Sequence, residues 1–375
     1  MKYFLIAGEP SGDMHAATLM AELKIADPEA SFQYFGGNLM QAQGGQLLRH
    51  YDSMAFMGIL PVLLNLKAIQ RNFKHCEKAL LTFRPDVLIL IDYPGFNLRM
   101  ARFAKQHQIQ VSYYISPKIW AWKTKRVHKV KAYVDNMYTI FPFETNFYNR
   151  FNYKVEYVGN PVYDIIHDEL RTPIDFAEFC TANQLNNKPI IALLAGSRTE
   201  EIKLLLPVME QLSEYYPSYQ FVVAGAPSQS IDFYQSILKS IIPVIYNQTY
   251  RLLRVSSAAV VASGTATLET ALLNTPQVVV YKMGLGWFLE LFRKQILKTK
   301  YFSLVNLVAE KDVVKELFQS EVNVDNLKLE LNKLLNEVNY RTKMQSEYKS
   351  ISNKLETKGA AVKAAQSIVN SLKKK

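Results

Sequence analysis

The chain has only two cysteines, Cys76 and Cys180, and six scattered histidines in 375 residues. Two unpatterned thiols exclude a disulfide framework and fit a reducing compartment, and the histidines lack ligand spacing, so no metal is expected. Long apolar runs are also missing. The longest window, "MAFMGILPVLLNL" (54–66), contains a proline and is too short to span a bilayer. Met1-Lys2 leads straight into a strand pattern, so no secretory leader is expected. Acidic charge is scarce as well: 33 Asp and Glu face 44 Lys and Arg, a net charge of +11. No helix-turn-helix, zinc-finger or RNP-like pattern accompanies this excess, which argues against nucleic acid as partner. An anionic membrane surface or phosphorylated substrates would balance it instead.

Apolar residues make up 49% of the chain, ample for two domains. Short β-branched or aromatic runs recur at 3–7, 32–36, 86–92, 111–115, 137–141 and 155–158, with helical patterns between them. The rhythm pauses over 161–188 and restarts at 190–195, 220–224, 244–246, 258–262 and 277–281. This alternation predicts an α/β protein of two Rossmann-like domains facing across a cleft, 1–165 and 166–349. From about Glu316 onward the composition predicts helix with no further strand, and helices of about 350–375 are expected to pack back on the first domain.

Four turns stand out. "FLIAGEPSGDMHAA" (4–17) runs from strand through a Gly-bracketed turn into helix. Gly8 and Gly12 match neither G-x-G-x-x-G nor G-x-x-x-x-G-K-[ST], and the carboxylates Glu9 and Asp13 would repel a diphosphate. The nucleotide is therefore expected downstream. In "VVASGTATLETALL" (260–273) a strand ends at Ser263-Gly264-Thr265, and a helix begins with Ala266 and Thr267. Such a helix start suits a diphosphate, and Glu269 one turn later suits ribose hydroxyls. The same residues also suit a plain helix cap. "LLAGSRTEEI" (193–202) repeats the layout with Gly196, Ser197 and Arg198, whose guanidinium would grip a phosphate or, as a bland alternative, simply face solvent. In "LILIDYPGFN" (88–97) Asp92 ends an apolar strand, as a candidate base or as a turn former.

Taken in order, "GEPSGD" (8–13), "MGILPVL" (57–63), "RPDVLILIDYPGFN" (84–97), "YYISPKIWAWKTKRV" (113–127), "LLAGSRTEEI" (193–202), "ASGTATLE" (262–269) and "KTKYFSLVNLVA" (298–309) resemble the lipid-A-disaccharide synthase family. The resemblance spans nearly the whole chain. It implies an inverting, metal-free glycosyltransferase of the GT-B type, without a cofactor, that joins UDP-2,3-diacylglucosamine to 2,3-diacylglucosamine 1-phosphate. It further implies Asp92 as general base, Arg198 and Asn306 as essential polar groups, and "SGTATLE" as the UDP site. "GEPSGD" would then line the opposite wall, with Ser11, Gly12 and Asp13 on the acceptor side and the carboxylates of Glu9 and Asp13 orienting sugar hydroxyls or assisting proton removal, Glu9 as the catalytic candidate; a turn that only shapes the wall is the alternative. Pro10 and Gly95 depart from the family's frequent Ala and Asp, leaving Asp92 alone as carboxylate in its turn.

Acylated substrates imply a peripheral protein on the cytoplasmic face of the inner membrane. Ile59, Leu60, Val62 and Leu63 form one candidate contact, and Trp287, Phe288, Phe292 and Arg293 another. A basic run, Lys123, Lys125, Arg126, Lys129 and Lys131, supplies a third. The rival readings are another UDP-N-acetylglucosamine-dependent transferase or epimerase of the same fold, a nucleic-acid binder, and a silent membrane scaffold.

Overall fold

Apolar runs bounded by polar turns build two parallel sheets. The computed structural model describes residues 1–54, 65–120, 124–284 and 301–374. They divide into two units, Met1–Pro161 with Thr357–Lys375, and Val162–Glu356.

The first unit contains β1 (Lys2–Ala7), β2 (Ser31–Gly36), β3 (Gln46–His50), β4 (Val87–Ile91), β5 (Gln110–Tyr114), β6 (Asn136–Thr139) and β7 (Glu156–Tyr157). They pair in the order β3-β2-β1-β4-β5-β6-β7, every described pair parallel. Strands β4 and β5 are buried along their whole length, as a sheet covered by helices on both faces requires.

The second unit repeats the plan with β8 (Ile190–Leu194), β9 (Gln220–Gly225), β10 (Val244–Tyr246), β11 (Ser256–Ala262), β12 (Gln277–Tyr281) and β13 (Glu316–Phe318). Their order is β10-β9-β8-β11-β12-β13, again parallel. Strand β13 corrects the expectation that the chain carries no strand from about Glu316. Three residues at a sheet edge are too few to break a helical composition.

Each sheet reverses its strand order once, between β1 and β4 and again between β8 and β11. At such a point neighbouring crossovers leave in opposite directions, and a crevice opens outside the carboxyl ends of the strands.

The C-terminal chain is shared. Helix Val338–Leu355 buries Met344, Tyr348 and Ile351 in the second unit. Helix Ala360–Lys373 belongs to the first, where Ala360, Ala361, Ala364 and Ala365 are buried and it lies against helix Pro10–Ala26 with its buried Ala16 and Ala17. Small residues on both helices let the backbones approach closely. Ser371 fixes the register by accepting a hydrogen bond from Gln110 Nε2 at 2.8 Å.

Candidate active site

All four turns singled out in the sequence fall at the two switch points. Gly8 and Glu9 follow β1, and Asp92 and Tyr93 follow its neighbour β4, with Ala7 registered against Ile91. Gly196 to Arg198 follow β8, and Ser263 to Thr265 follow its neighbour β11, with Leu194 registered against Val261.

In the first unit the chain leaves β4 through two left-handed residues, Asp92 (φ 40°) and Tyr93 (φ 45°), before Pro94 opens helix Pro94–Gln106. Pro94 at the first helical position disfavours right-handed α geometry at Tyr93 before it, so the helix begins only after the turn. Asn97 Nδ2 donates to the carbonyls of Ile91 at 3.1 Å and Asp92 at 2.8 Å, and the Tyr113 hydroxyl also donates to the Asp92 carbonyl. Burial pushes the Asp92 carboxyl above its ordinary value, while the Lys118 cation and a backbone N–H from Tyr93 pull it back. A carboxylate whose pKa burial raises binds a proton more strongly than a free one, the property a general base needs.

The "GEPSGD" turn divides its labour. Glu9 is the N-cap residue of helix Pro10–Ala26 and is half-buried; its charge acts on the Tyr93 hydroxyl. Ser11 is exposed and Gly12 buried. Asp13 corrects the expectation that it faces a sugar: it is buried, and its oxygens accept backbone N–H bonds from Gly37 (2.8 Å), Leu39 (3.0 Å) and Met40 (3.1 Å). Helical spacing turns this carboxylate inward, where it caps helix Asn38–Ala42 beyond β2.

The "SPKIW" segment after β5 is anchored by a residue that sequence reasoning passed over. Glu144 accepts from Trp120 Nε1 at 3.1 Å and from the backbone N–H groups of Ile140 (3.1 Å) and Phe141 (3.0 Å). Its carboxyl is pushed up to about 7 by burial. The signal was a Glu at the third position of helix Pro142–Asn149, where a carboxylate caps its own helix.

In the second unit Gly196 adopts φ 102°, and a Cβ there would lie 2.6 Å from Glu201 Oε2. Arg198 extends from this turn with its side chain 60% exposed, 3.4 Å from the Glu201 carboxylate. At the β11 turn, Ser263 donates to the Phe302 carbonyl at 3.1 Å, and Thr267 to the Gly264 carbonyl at 2.8 Å. Among the described residues no side chain caps helix Thr265–Leu272 at Gly264, and a Cβ on Gly264 would meet open space. Thr265 is exposed and Ala266 half-buried beside it. These residues are therefore not used as a plain cap, and the helix start suits an anion. Glu269 accepts from the Tyr250 hydroxyl at 3.0 Å; burial raises its pKa, and this hydrogen bond opposes the rise.

Asn306 stands apart. The expectation that its side chain is a polar group of the site meets a different geometry. It is 1% exposed, its Nδ2 donates to Val314 O at 2.9 Å, and its Oδ1 accepts from Val313 N (2.8 Å) and Val314 N (3.0 Å). The amide is fully engaged in tying helix Leu304–Ala309 to the approach to β13.

The sequence model of the family described as "Lipid-A-disaccharide synthetase" matches residues 3–370. The chain belongs to the lipid-A-disaccharide synthase family. A lipid-A-disaccharide synthase of Coxiella burnetii (strain CbuG_Q212) is 36% identical over 372 residues, covering 98% of this chain and 97% of its own. One of Myxococcus xanthus is 37% identical over 378 residues, covering 99% and 97%. Among solved structures, a UDP-GlcNAc 2-epimerase from Neisseria meningitidis bound to UDP-GlcNAc superposes with a TM-score of 0.67 at 16% identity, over 100% of both chains. The calicheamicin glycosyltransferase CalG4 gives 0.59 at 15% identity, over 99% of this chain and 97% of its own. These likenesses show the GT-B type of fold, and the family makes the chain a glycosyltransferase of lipid A disaccharide synthesis.

Of the groups expected at a membrane, Ile59, Leu60, Val62, Leu63, Trp287, Phe288, Phe292 and Arg293 lie outside the described residues, as do Trp122 and Lys123. Among the described residues no helix is long and apolar enough to cross a membrane.

Proposed function

We propose that the chain transfers 2,3-diacylglucosamine from UDP to the 6-hydroxyl of 2,3-diacylglucosamine 1-phosphate, with inversion at the anomeric carbon. The observation that carries this reading is the coincidence of Asp92 with the switch point of one sheet and of Ser263-Gly264-Thr265 with that of the other. Asp92 takes the proton of the acceptor hydroxyl as its oxygen attacks C1 of the donor sugar. The C1–O bond to UDP breaks, and its electron pair leaves on the diphosphate. The uncapped helix start at Gly264, Thr265 and Ala266 and the guanidinium of Arg198 receive that charge. Gly196 and Ser197 give the diphosphate close backbone approach, and Glu269 holds the ribose. Glu9, two residues beyond the end of β1, orients the acceptor hydroxyl or assists its proton removal. No step needs a metal or cofactor of the protein.

Membrane contact follows from the substrates' acyl chains. A net charge of +11 favours the anionic cytoplasmic face of the inner membrane, and the apolar and aromatic groups of 57–66 and 282–302 supply insertion.

The test is product analysis. Purified protein given both lipids in detergent yields a β-1,6-linked disaccharide 1-phosphate identified by mass spectrometry and NMR. An α-linked product would remove the inverting mechanism, and turnover of unacylated UDP-N-acetylglucosamine alone would favour an epimerase.

A further inference from the structure

Two successive left-handed residues without glycine are costly, each by about 1–3 kcal/mol, and persist only where their surroundings hold them. At Asp92 and Tyr93 the holding is visible. The carbonyl of Asp92 accepts from Asn97 and Tyr113, as described, and the side chain of Tyr93 is clamped at both ends. Its hydroxyl donates to the Met54 carbonyl at 2.8 Å, and its ring stacks on Phe96 at 6.0 Å. The ring body occupies the space in front of Gly8: a Cβ on Gly8 would lie 2.3 Å from Cδ1 and 2.4 Å from Cγ of Tyr93. Real Cβ contacts do not come so close, and the atoms struck are the base of a half-buried ring held at its hydroxyl and against Phe96. Gly8 has no left-handed backbone to explain it, so the ring is the reason no side chain stands there.

We propose that Tyr93, wedged against the bare Cα of Gly8, is a positioning residue that sets where the Asp92 carboxylate points. The inference rests on Asp92 acting as base. The wedge joins the ends of the paired strands β1 and β4, so that any side chain at position 8 pushes on the peptide next to Asp92. A displacement of about 1 Å at a reacting group costs up to about 100-fold in rate while leaving remote binding intact. The donor's UDP, held by the second unit in the proposed reaction, is such a remote contact.

The experiment compares wild type, Gly8→Ala, Tyr93→Gly, the double variant and Asp92→Asn, reading kcat, donor KM and UDP affinity by calorimetry. Glycine adopts the left-handed angles of position 93 freely, so Tyr93→Gly removes the wedge without straining the turn. Gly8→Ala is expected to lower kcat about 10- to 100-fold with donor KM and UDP affinity unchanged. In the Tyr93→Gly background the same substitution is expected to cost nothing more, because the clash is gone. Should Gly8→Ala alone fail to fold, the folded double variant against Tyr93→Gly carries the same comparison. Tyr93→Gly is itself expected to lower kcat with UDP affinity unchanged, so wild-type kcat in Tyr93→Gly or in folded Gly8→Ala, or losses that multiply in the double variant, would overturn the wedge. Full turnover in Asp92→Asn would instead remove the base itself, a separate failure.

Discussion

Tyr250, on helix Thr249–Val255, donates its hydroxyl to the Glu269 carboxylate at 3.0 Å. The bond favours the ionised form of a carboxyl that burial pushes upward. If Glu269 accepts from ribose hydroxyls, its ionisation sets donor affinity. Tyr250→Phe is expected to weaken UDP binding by about 1 kcal/mol near neutral pH, roughly fivefold. The deficit grows as pH falls, since Glu269 then protonates earlier. Calorimetric UDP titrations across pH check it; equal affinities at every pH contradict it.

Glu144 is the second buried carboxyl with a consequence in solution. Its folded pKa of about 7 lies above the ordinary 4.5. A raised pKa means that the stability linked to this proton is complete below about pH 4.5 and is lost as pH rises through about 7. Wild type should therefore lose up to about 3 kcal/mol relative to Glu144→Gln across that window. Urea unfolding of the two proteins side by side measures the difference; a constant difference across pH sinks the assignment.

Asp13 separates a structural carboxylate from a catalytic one. Three backbone N–H groups depend on it, those of Gly37 and Met40 in buried bonds and that of Leu39 in a partly buried one. Asp13→Ala is expected to cost about 2–4 kcal/mol in stability, as removal of a charged acceptor does. Turnover per folded molecule should stay within a few-fold of wild type. A variant of wild-type stability but without turnover would return Asp13 to the chemistry.

Asn306→Ala leaves the N–H groups of Val313 and Val314 without their acceptor. The expected loss is about 1–3 kcal/mol, read as a lower Tm, with UDP affinity changed less than by Tyr250→Phe. An unchanged Tm with lost turnover would place the amide on the substrate instead.

The strands were legible wherever they are buried on both faces, because runs such as "VLILI" at β4 and "IIALL" at β8 are short, aliphatic and bounded by turn residues. The two missed strands lie at sheet edges, where β3, "QLLRH", is half-exposed and mostly polar, and β13, "ELF", spans three residues. The turns of the site were legible for the same reason as the strands that end in them. What each polar side chain does within a turn was not. Asp13 meets backbone donors 24 to 27 residues away, and Trp120 meets Glu144 across 24, relationships that exist only after β2 and β6 are in place. Asn306 shows the complementary limit. Its partners are only seven and eight residues on, but nothing in the spelling distinguishes an amide that binds its own chain from one that binds substrate.

The central claim is that Asp92 is the base of a two-lipid transfer. Its most direct test is UDP release by purified protein in detergent, given UDP-2,3-diacylglucosamine with and without 2,3-diacylglucosamine 1-phosphate, for wild type and Asp92→Asn. Release that requires both lipids and falls about 10²- to 10⁴-fold in the variant, with UDP affinity retained, is the predicted result. Release by Asp92→Asn at the wild-type rate would contradict it.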